Sequence, residues 1–243
     1  MRHCVIADIH GNLEAFQAVL EDASTKKIDK FLCIGDVVSY GADPNACIRL
    51  VKSILPAALV AGNHEWGVLG LLDSDYFTPL ALEAISWTWK KLAQDELDFL
   101  KSFRLLYEDG DITLVHGTLE DPEKFNYLRD ISDAYATMSL MKTRIVFVGH
   151  THVPGFFHTE NGRIGTALAA SKIKIDRNEK YIVNVGSIGQ PRDNDPRASY
   201  AIYDDETKSV EILRVEYDIE KAKEKILDAG LPSRLGYRLL QGR

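Results

Sequence analysis

Five short apolar runs of this chain each stop at a cluster of glycine with histidine, aspartate or asparagine. Residues 2–8 (RHCVIAD) read as a buried parallel strand that ends in Asp8-Ile9-His10-Gly11-Asn12. Residues 30–35 (KFLCIG) repeat the pattern and close on Gly35-Asp36. A third strand over 57–61 closes on Gly62-Asn63-His64-Glu65. His116-Gly117 ends the second strand of a hairpin signalled by Asp109-Gly110, and Gly149-His150-Thr151-His152 follows a strand at 144–148. In open α/β sheets, ligand sites lie outside the carboxyl ends of the strands. All five clusters can therefore face one crevice.

The segments between them fill in the architecture. Leu13, Phe16, Val19 and Leu20 mark one face of a helix over 12–24. A second helix starts at Asp43-Pro44, with Asp43 as N-cap and Pro44 at the first helical position. The resulting βαβαβ order implies a mostly parallel sheet covered by helices. Residues 65–103 break the alternation and look helical throughout, with Leu82, Ile85, Trp89 and Leu92 at helical spacing. The second half is mainly β, with strands near 155–159, 163–169, 180–185, 198–204 and 208–215, and suggests a second sheet stacked on the first. An amphipathic helix over 218–228 ends at Gly230 and Pro232, and a short helix over 233–240 follows. We expect one domain over 1–243, with a helical insertion at about 65–103 and a helical tail at about 218–243.

The spacing of the polar residues suits metal ligation. In extended chain, residues i and i+2 point the same way, so Asp8 with His10, and His150 with His152, can each address one point. Carboxylate with imidazole suits manganese, zinc or iron rather than calcium. Singly, a histidine at a strand end, a Gly-Asp pair or an Asn-His-Glu helix start has an ordinary structural reading. Jointly, five of the seven histidines fall in ordered clusters with two aspartates and an asparagine. The net charge of −7 argues against a long nucleic-acid partner, whose phosphates would need Lys and Arg. It does not argue against phosphate chemistry, because bound cations invert the local field. Cys4, Cys33 and Cys47 are an odd number without a CxxC pair; Cys4 and Cys33, inside apolar runs, read as small buried hydrophobes, as fits a reducing cytoplasm. No signal peptide and no membrane-length apolar stretch is evident.

The DxH, GD, GNHE, HG and GHTH clusters, in this order, resemble the calcineurin-like metallophosphoesterase superfamily over roughly residues 1–215. The stretches GDVVSYGADPNACI, HGTLEDPEKFNYL and NVGSIGQPRD and the AGLP tail look closest to its small bacterial and archaeal phosphodiesterase-like members. The resemblance implies an α/β fold, an αββα sandwich of two stacked mixed sheets flanked by helices. It also implies two divalent metal ions. Asp8, His10, Asp36 and His152 would hold the first, and Asp36, Asn63, His116 and His150 the second, with Asp36 bridging. His64 matches the family's non-ligand histidine, which contacts the phosphate or protonates the leaving group; Asn63 also faces the substrate. Two ions at such a site clamp the attacking and leaving oxygens of an in-line displacement and make water nucleophilic near neutral pH. Manganese is the expected ion, with zinc, iron, nickel, cobalt or magnesium as alternatives.

The protein Ser/Thr phosphatases and symmetrical dinucleoside tetraphosphatases of this superfamily carry GDxVDRG at the second motif. Here the chain reads Gly35-Asp36-Val37-Val38-Ser39-Tyr40-Gly41 and lacks that arginine. Arg192, in Gly189-Gln190-Pro191-Arg192, is a candidate phosphate clamp or a surface arginine. Tyr40, Asp121 and Tyr127 are candidate pocket residues or ordinary loop residues, and Asn184–Ser187 is a site-lining turn or a plain one. His3 and His158 fall outside the motifs and read as structural. The expected function is hydrolysis of a small-molecule phosphate ester, foremost a nucleotide-type phosphodiester. A phosphomonoesterase or protein phosphatase of the same fold is the alternative. A non-catalytic scaffold, like the retromer subunit of this fold, is disfavoured because every expected ligand and His64 are present. Sequence leaves the oligomeric state open.

Overall fold

The computed structural model of the chain describes every residue except Leu55, Leu168 and Ala169. The first sheet begins with three parallel strands, β1 (Arg2–Ile6), β2 (Lys30–Cys33) and β3 (Ala58–Leu59), joined by α1 (Leu13–Ser24) and α2 (Pro44–Ser53). β1 is apolar on both pleat faces, which is why its sequence runs apolar without alternation. Cys4 and Ile6 pack outward against Phe16 and Val19 of α1, whereas Val5 packs inward against the second sheet.

Residues 65–103 are not one continuous helical layer. They carry α3 (Asn63–Val68), α4 (Pro79–Lys91) and α5 (Gln94–Lys101), separated by a loop with a 3-10 turn at Ser74–Tyr76. Gly70, at φ +68°, ends the first helix, and Thr78 caps the second through its hydroxyl. α4 buries Ala81, Ala84, Ile85 and Thr88, so of the expected stripe Ile85 is in the core, Leu82 and Leu92 are half-buried and Trp89 is 56% exposed.

The β-rich half divides between two sheets. β4 (Leu106–Asp109), β5 (Ile112–Val115), β6 (Ile145–Val148), β7 (Gly155–Glu160), β8 (Arg163–Thr166) and β10 (Tyr181–Asn184) build the second sheet, in the order β4-β5-β6-β10-β7-β8. β11 (Ala198–Asp204) instead returns to pair with β1, β12 (Ser209–Val215) pairs with β11, and β9 (Lys172–Lys174) follows at the edge. Both sheets are therefore mixed. The β4–β5 turn is Gly110-Asp111, one residue later than expected, because Asp109 still pairs with Ile112. Of the strand expected at 163–169, residues 168 and 169 lie outside the described residues.

Val5, Leu32, Ile34, Leu114, Phe147, Val183 and Ala201 form the apolar core between the sheets. α6 (Ile131–Leu140), which the sequence reading missed, covers the outer face of the second sheet through Ala134 and Met138. The result is the expected α–β–β–α layering. α7 (Ile219–Asp228) and α8 (Ser233–Tyr237) pack with α4 and Tyr40 through Ile226, Leu235, Ala81 and Ala84. Asp43 sits at the N-cap of α2 without capping it, since its carboxylate accepts from Lys225 of α7 at 2.8 Å. Among the described residues, no helix is long and apolar enough to cross a membrane.

Candidate metal centre

The carboxyl ends of five strands meet at one edge of the sandwich, and every residue assigned to the metals or to His64's role lies there. Asp8, His10 and Asp36 come from the loops after β1 and β2 of one sheet, and Asn63 from the start of α3, just after β3. His116, His150 and His152 come from the loops after β5 and β6 of the other. All seven and His64 are buried. Ligand-type atoms of Asp8, His10, Asp36 and His152 lie within 4.8 Å of one another, as do those of Asp36, His116 and His150. Asp36 is common to both groups. Its Oδ2 lies 3.5 Å from His10 Nε2 and 3.3 Å from His116 Nε2.

The backbone is bent to aim these donors. Asp8, His10, Asp36, His150 and His152 all have φ between 50° and 66°, the left-handed region that non-glycine residues avoid. Two glycines make room for the carboxylates. A Cβ on Gly62 would lie 2.0 Å from Asp36 Oδ1, and one on Gly149 would lie 2.6 Å from Asp8 Oδ2.

Backbone carbonyls orient three of the imidazoles. Nδ1 of His10, His116 and His152 donates to the carbonyl oxygens of Val38 (3.2 Å), Ile34 (2.7 Å) and Gln190 (2.6 Å). Each Nε2 is thereby turned inward as a lone-pair donor, the usual arrangement of a metal-binding histidine. His10 Nε2 and His152 Nε2 then face each other 3.1 Å apart. Two neutral lone pairs at that distance repel, and a cation between them removes the conflict. Asp36 Oδ2, Asn63 Oδ1, His116 Nε2 and His150 Nε2 are buried with no hydrogen-bond partner among the described residues. Unsatisfied buried polar atoms are costly, and three of these, on Asp36, His116 and His150, lie close enough together to fit a bound cation. These residues match the donor set of a divalent metal site.

Electrostatics agree with that chemistry. Burial pushes His10, His150 and His152 well below the ordinary imidazole value, so they are neutral ligands at neutral pH. Burial, reinforced by the charge of Asp36, pushes the Asp8 carboxyl up to about 8. Burial also opposes charge on His116, but Asp36 beside it prevails and raises it to about 10. Metal-free protein thus holds protons on Asp8 and His116 that a cation must displace. The apparent affinity for Mn²⁺ is expected to rise with pH through 8, by about tenfold per pH unit for each displaced proton. Calorimetry in buffers of different ionisation enthalpy reads that release directly. Binding at pH 7 without proton release would contradict it.

Glu65 had no role in the sequence reading beyond its motif, yet it fastens the centre. Its carboxylate accepts the backbone N–H groups of Asp36 (2.7 Å), Val37 (2.7 Å) and Gly62 (2.8 Å), tying the loops after β2 and β3 together. The only sequence signal was its place three residues after Gly62, where a helix N3 glutamate reaches back. Ser187 performs a related task, donating to the Asp8 carbonyl at 2.8 Å, while Asn184 donates to Gly149 at 2.8 Å. The 184–187 turn therefore braces the ligand loops from behind.

Above the donors lies a cleft of about 70 Å³ lined by Tyr40, Asn63, His64, Tyr127 and Arg192, and closed by Tyr76 and Phe77 of the helical insertion. Arg192 donates to Gln190 Oε1 at 2.8 Å, and its guanidinium lies 5.9 Å from the centre of the Tyr40 ring. Asp121 does not line this cleft; it is exposed and pairs with Lys124. His3 and His158 stand apart, each stacked on a tyrosine of its own sheet.

Residues 1–208 match the calcineurin-like phosphoesterase superfamily domain. The chain is 43% identical to an uncharacterized protein of Methanocaldococcus jannaschii over 98% of its own length and 97% of the relative's. It is 25% identical to phosphodiesterase YfcE of Escherichia coli over 86% and 91% of the two chains. A crystal structure of a metallophosphoesterase from Sphaerobacter thermophilus superposes with a TM-score of 0.89, at 37% identity, covering 100% of this chain and 99% of that one. The chain belongs to the calcineurin-like phosphoesterase superfamily and is a metal-dependent phosphoric ester hydrolase.

Proposed function

We propose that the chain hydrolyses small phosphodiesters of nucleotide type at a centre of two divalent cations. Asp8, His10, Asp36 and His152 hold one ion, and Asp36, Asn63, His116 and His150 hold the other. The observation that carries this reading is the division of the inward donors into two groups that share Asp36. Bound divalent cations would supply Lewis acidity, lowering the pKa of water and neutralising phosphate oxygens.

The remaining work falls to this chain's own side chains. Burial pushes His64 down to about 4, so it is neutral at pH 7 and keeps one ring proton. Its Nδ1 has no partner among the described residues, and its ring lies 4.5 Å from that of Tyr40 in the cleft wall. From there the imidazole contacts the phosphate and serves the leaving oxygen. Arg192 grips a phosphate oxygen, and as the cleft's one guanidinium it suits the single charge of a diester. The recessed donors and the Tyr76–Phe77 wall disfavour a folded phosphoprotein as substrate. The buried free thiols of Cys4, Cys33 and Cys47 support a cytoplasmic location.

Metal analysis of purified protein should find about two ions per chain. Chelation should abolish hydrolysis of bis(p-nitrophenyl) phosphate, and manganese should restore it better than zinc or magnesium. Full turnover by metal-free protein would refute the mechanism, and a strong preference for p-nitrophenyl phosphate would refute the diester assignment. His64→Ala is expected to lower kcat by about 10²–10⁴-fold with metal content unchanged. Loss of metal in that variant would show that His64 is a ligand instead.

A further inference from the structure

Two spaces meet at the mouth of the centre. The cleft over the donors, about 70 Å³, has room for a phosphoryl group but not for the rest of a nucleotide. Past Tyr76 and Tyr127 opens a groove of about 650 Å³ on the loop before α6, also lined by Thr118, Lys124, Asn126 and Arg129. Both tyrosines line both spaces, so a substrate whose ester sits in the cleft can extend into the groove.

One cation in this groove has no anion among the described residues. Lys124 Nζ bonds Asp121 at 2.7 Å, and the Asp133 carboxylate accepts the Arg129 backbone N–H at 2.9 Å. Glu120 also borders the groove. The Arg129 guanidinium pairs with no carboxylate among the described residues. It lies on the Tyr127 ring, 4.2 Å from its centre, and that ring also stacks on His150 at 3.9 Å and 19°. The stack fixes the guanidinium near the centre and leaves its fork of N–H donors to solvent. Asp121 and Phe125, both at left-handed φ (46° and 48°), hold the loop that presents it.

We propose that this groove is a second substrate subsite in which Arg129 binds a further phosphate group. The substrate class is then a small phosphodiester that carries a second phosphate beside the scissile one. This inference rests on the phosphodiesterase reading above. Binding of thymidine 3′,5′-bisphosphate and of thymidine 5′-phosphate to the manganese-loaded protein tests it by calorimetry. The bisphosphate should bind at least about tenfold more tightly to the wild type, and Arg129→Ala should erase most of that difference. In turnover, Arg129→Ala should raise KM for a dithymidine phosphodiester bearing a terminal phosphate about tenfold more than KM for the same diester without it. Arg129→Lys should fall between the two. Equal binding of the two thymidine phosphates by the wild type, or an unchanged ratio in Arg129→Ala, would overturn the subsite. Failure of the wild type to hydrolyse any diester would refute the phosphodiesterase reading instead, while the binding ratio would still test Arg129.

Discussion

Asp36→Ala is expected to strip both metal positions at once and to lower kcat/KM by at least about 10³-fold. Metal ions contribute several kcal/mol of transition-state stabilisation, and each ~1.4 kcal/mol is a factor of ten. The breadth of the loss comes from geometry. Asp36 Oδ2 lies between His10 and His116, one from each donor group, and has no hydrogen-bond partner among the described residues. Asn63→Ala makes the contrast, because in the proposed arrangement Asn63 would hold only the second ion and its loss should empty one position. Elemental analysis of the two variants, dialysed side by side, gives the comparison. An Asp36→Ala protein that kept one tightly held ion would show that the carboxylate does not bridge.

Glu65→Ala should weaken the fold as well as the reaction. It leaves three well-made backbone donors, on Asp36, Val37 and Gly62, without an acceptor in a buried place. At 1–3 kcal/mol for each buried unpaired group, the expected loss is about 4 kcal/mol, reduced where water enters. For a chain of this length that lowers Tm by roughly 10 °C. Glu65→Gln should recover little, because both carboxylate oxygens accept N–H groups and an amide would set its own N–H₂ against one of them. Urea denaturation of the metal-free proteins isolates this effect from metal binding. If either variant stayed within about 1 kcal/mol of wild type, the role of Glu65 as a clasp would be wrong.

The donors were legible in the sequence because only a few residue types can bind such ions, and because the strand ends concentrate them. Asp8 with His10 and His150 with His152 could be paired by spacing alone. The supporting atoms were not legible. The carbonyls of Val38, Ile34 and Gln190 fix three imidazoles, and any residue could supply a carbonyl there. α6 escaped because its buried contacts are Ala134, Thr137 and Met138, while Ile131, Tyr135 and Leu140 face solvent; apolar residues therefore fall on all sides of it. The division of the later strands between sheets was hidden for another reason. β10 and β11 are both short runs of buried residues, and nothing local says that one pairs with β6 and the other with β1. Arg129 was invisible as a candidate because its position on Tyr127 depends on how the 117–130 loop folds.

The donors of the centre are drawn from two layers whose main contact is a sheet of aliphatic and aromatic side chains. Such a contact resists separation but opposes sideways slip only weakly, since burial is not directional. An ion held jointly by Asp36 on one layer and by His116 and His150 on the other would act as a bolt against shear. Loading the centre should then slow hydrogen exchange in the strand interiors of both layers together, including at β2 and β6, which lie on opposite sides of that apolar contact. Stability gained this way grows with the free ion concentration. Metal supply would therefore set the mechanical lifetime of the sandwich as well as its turnover.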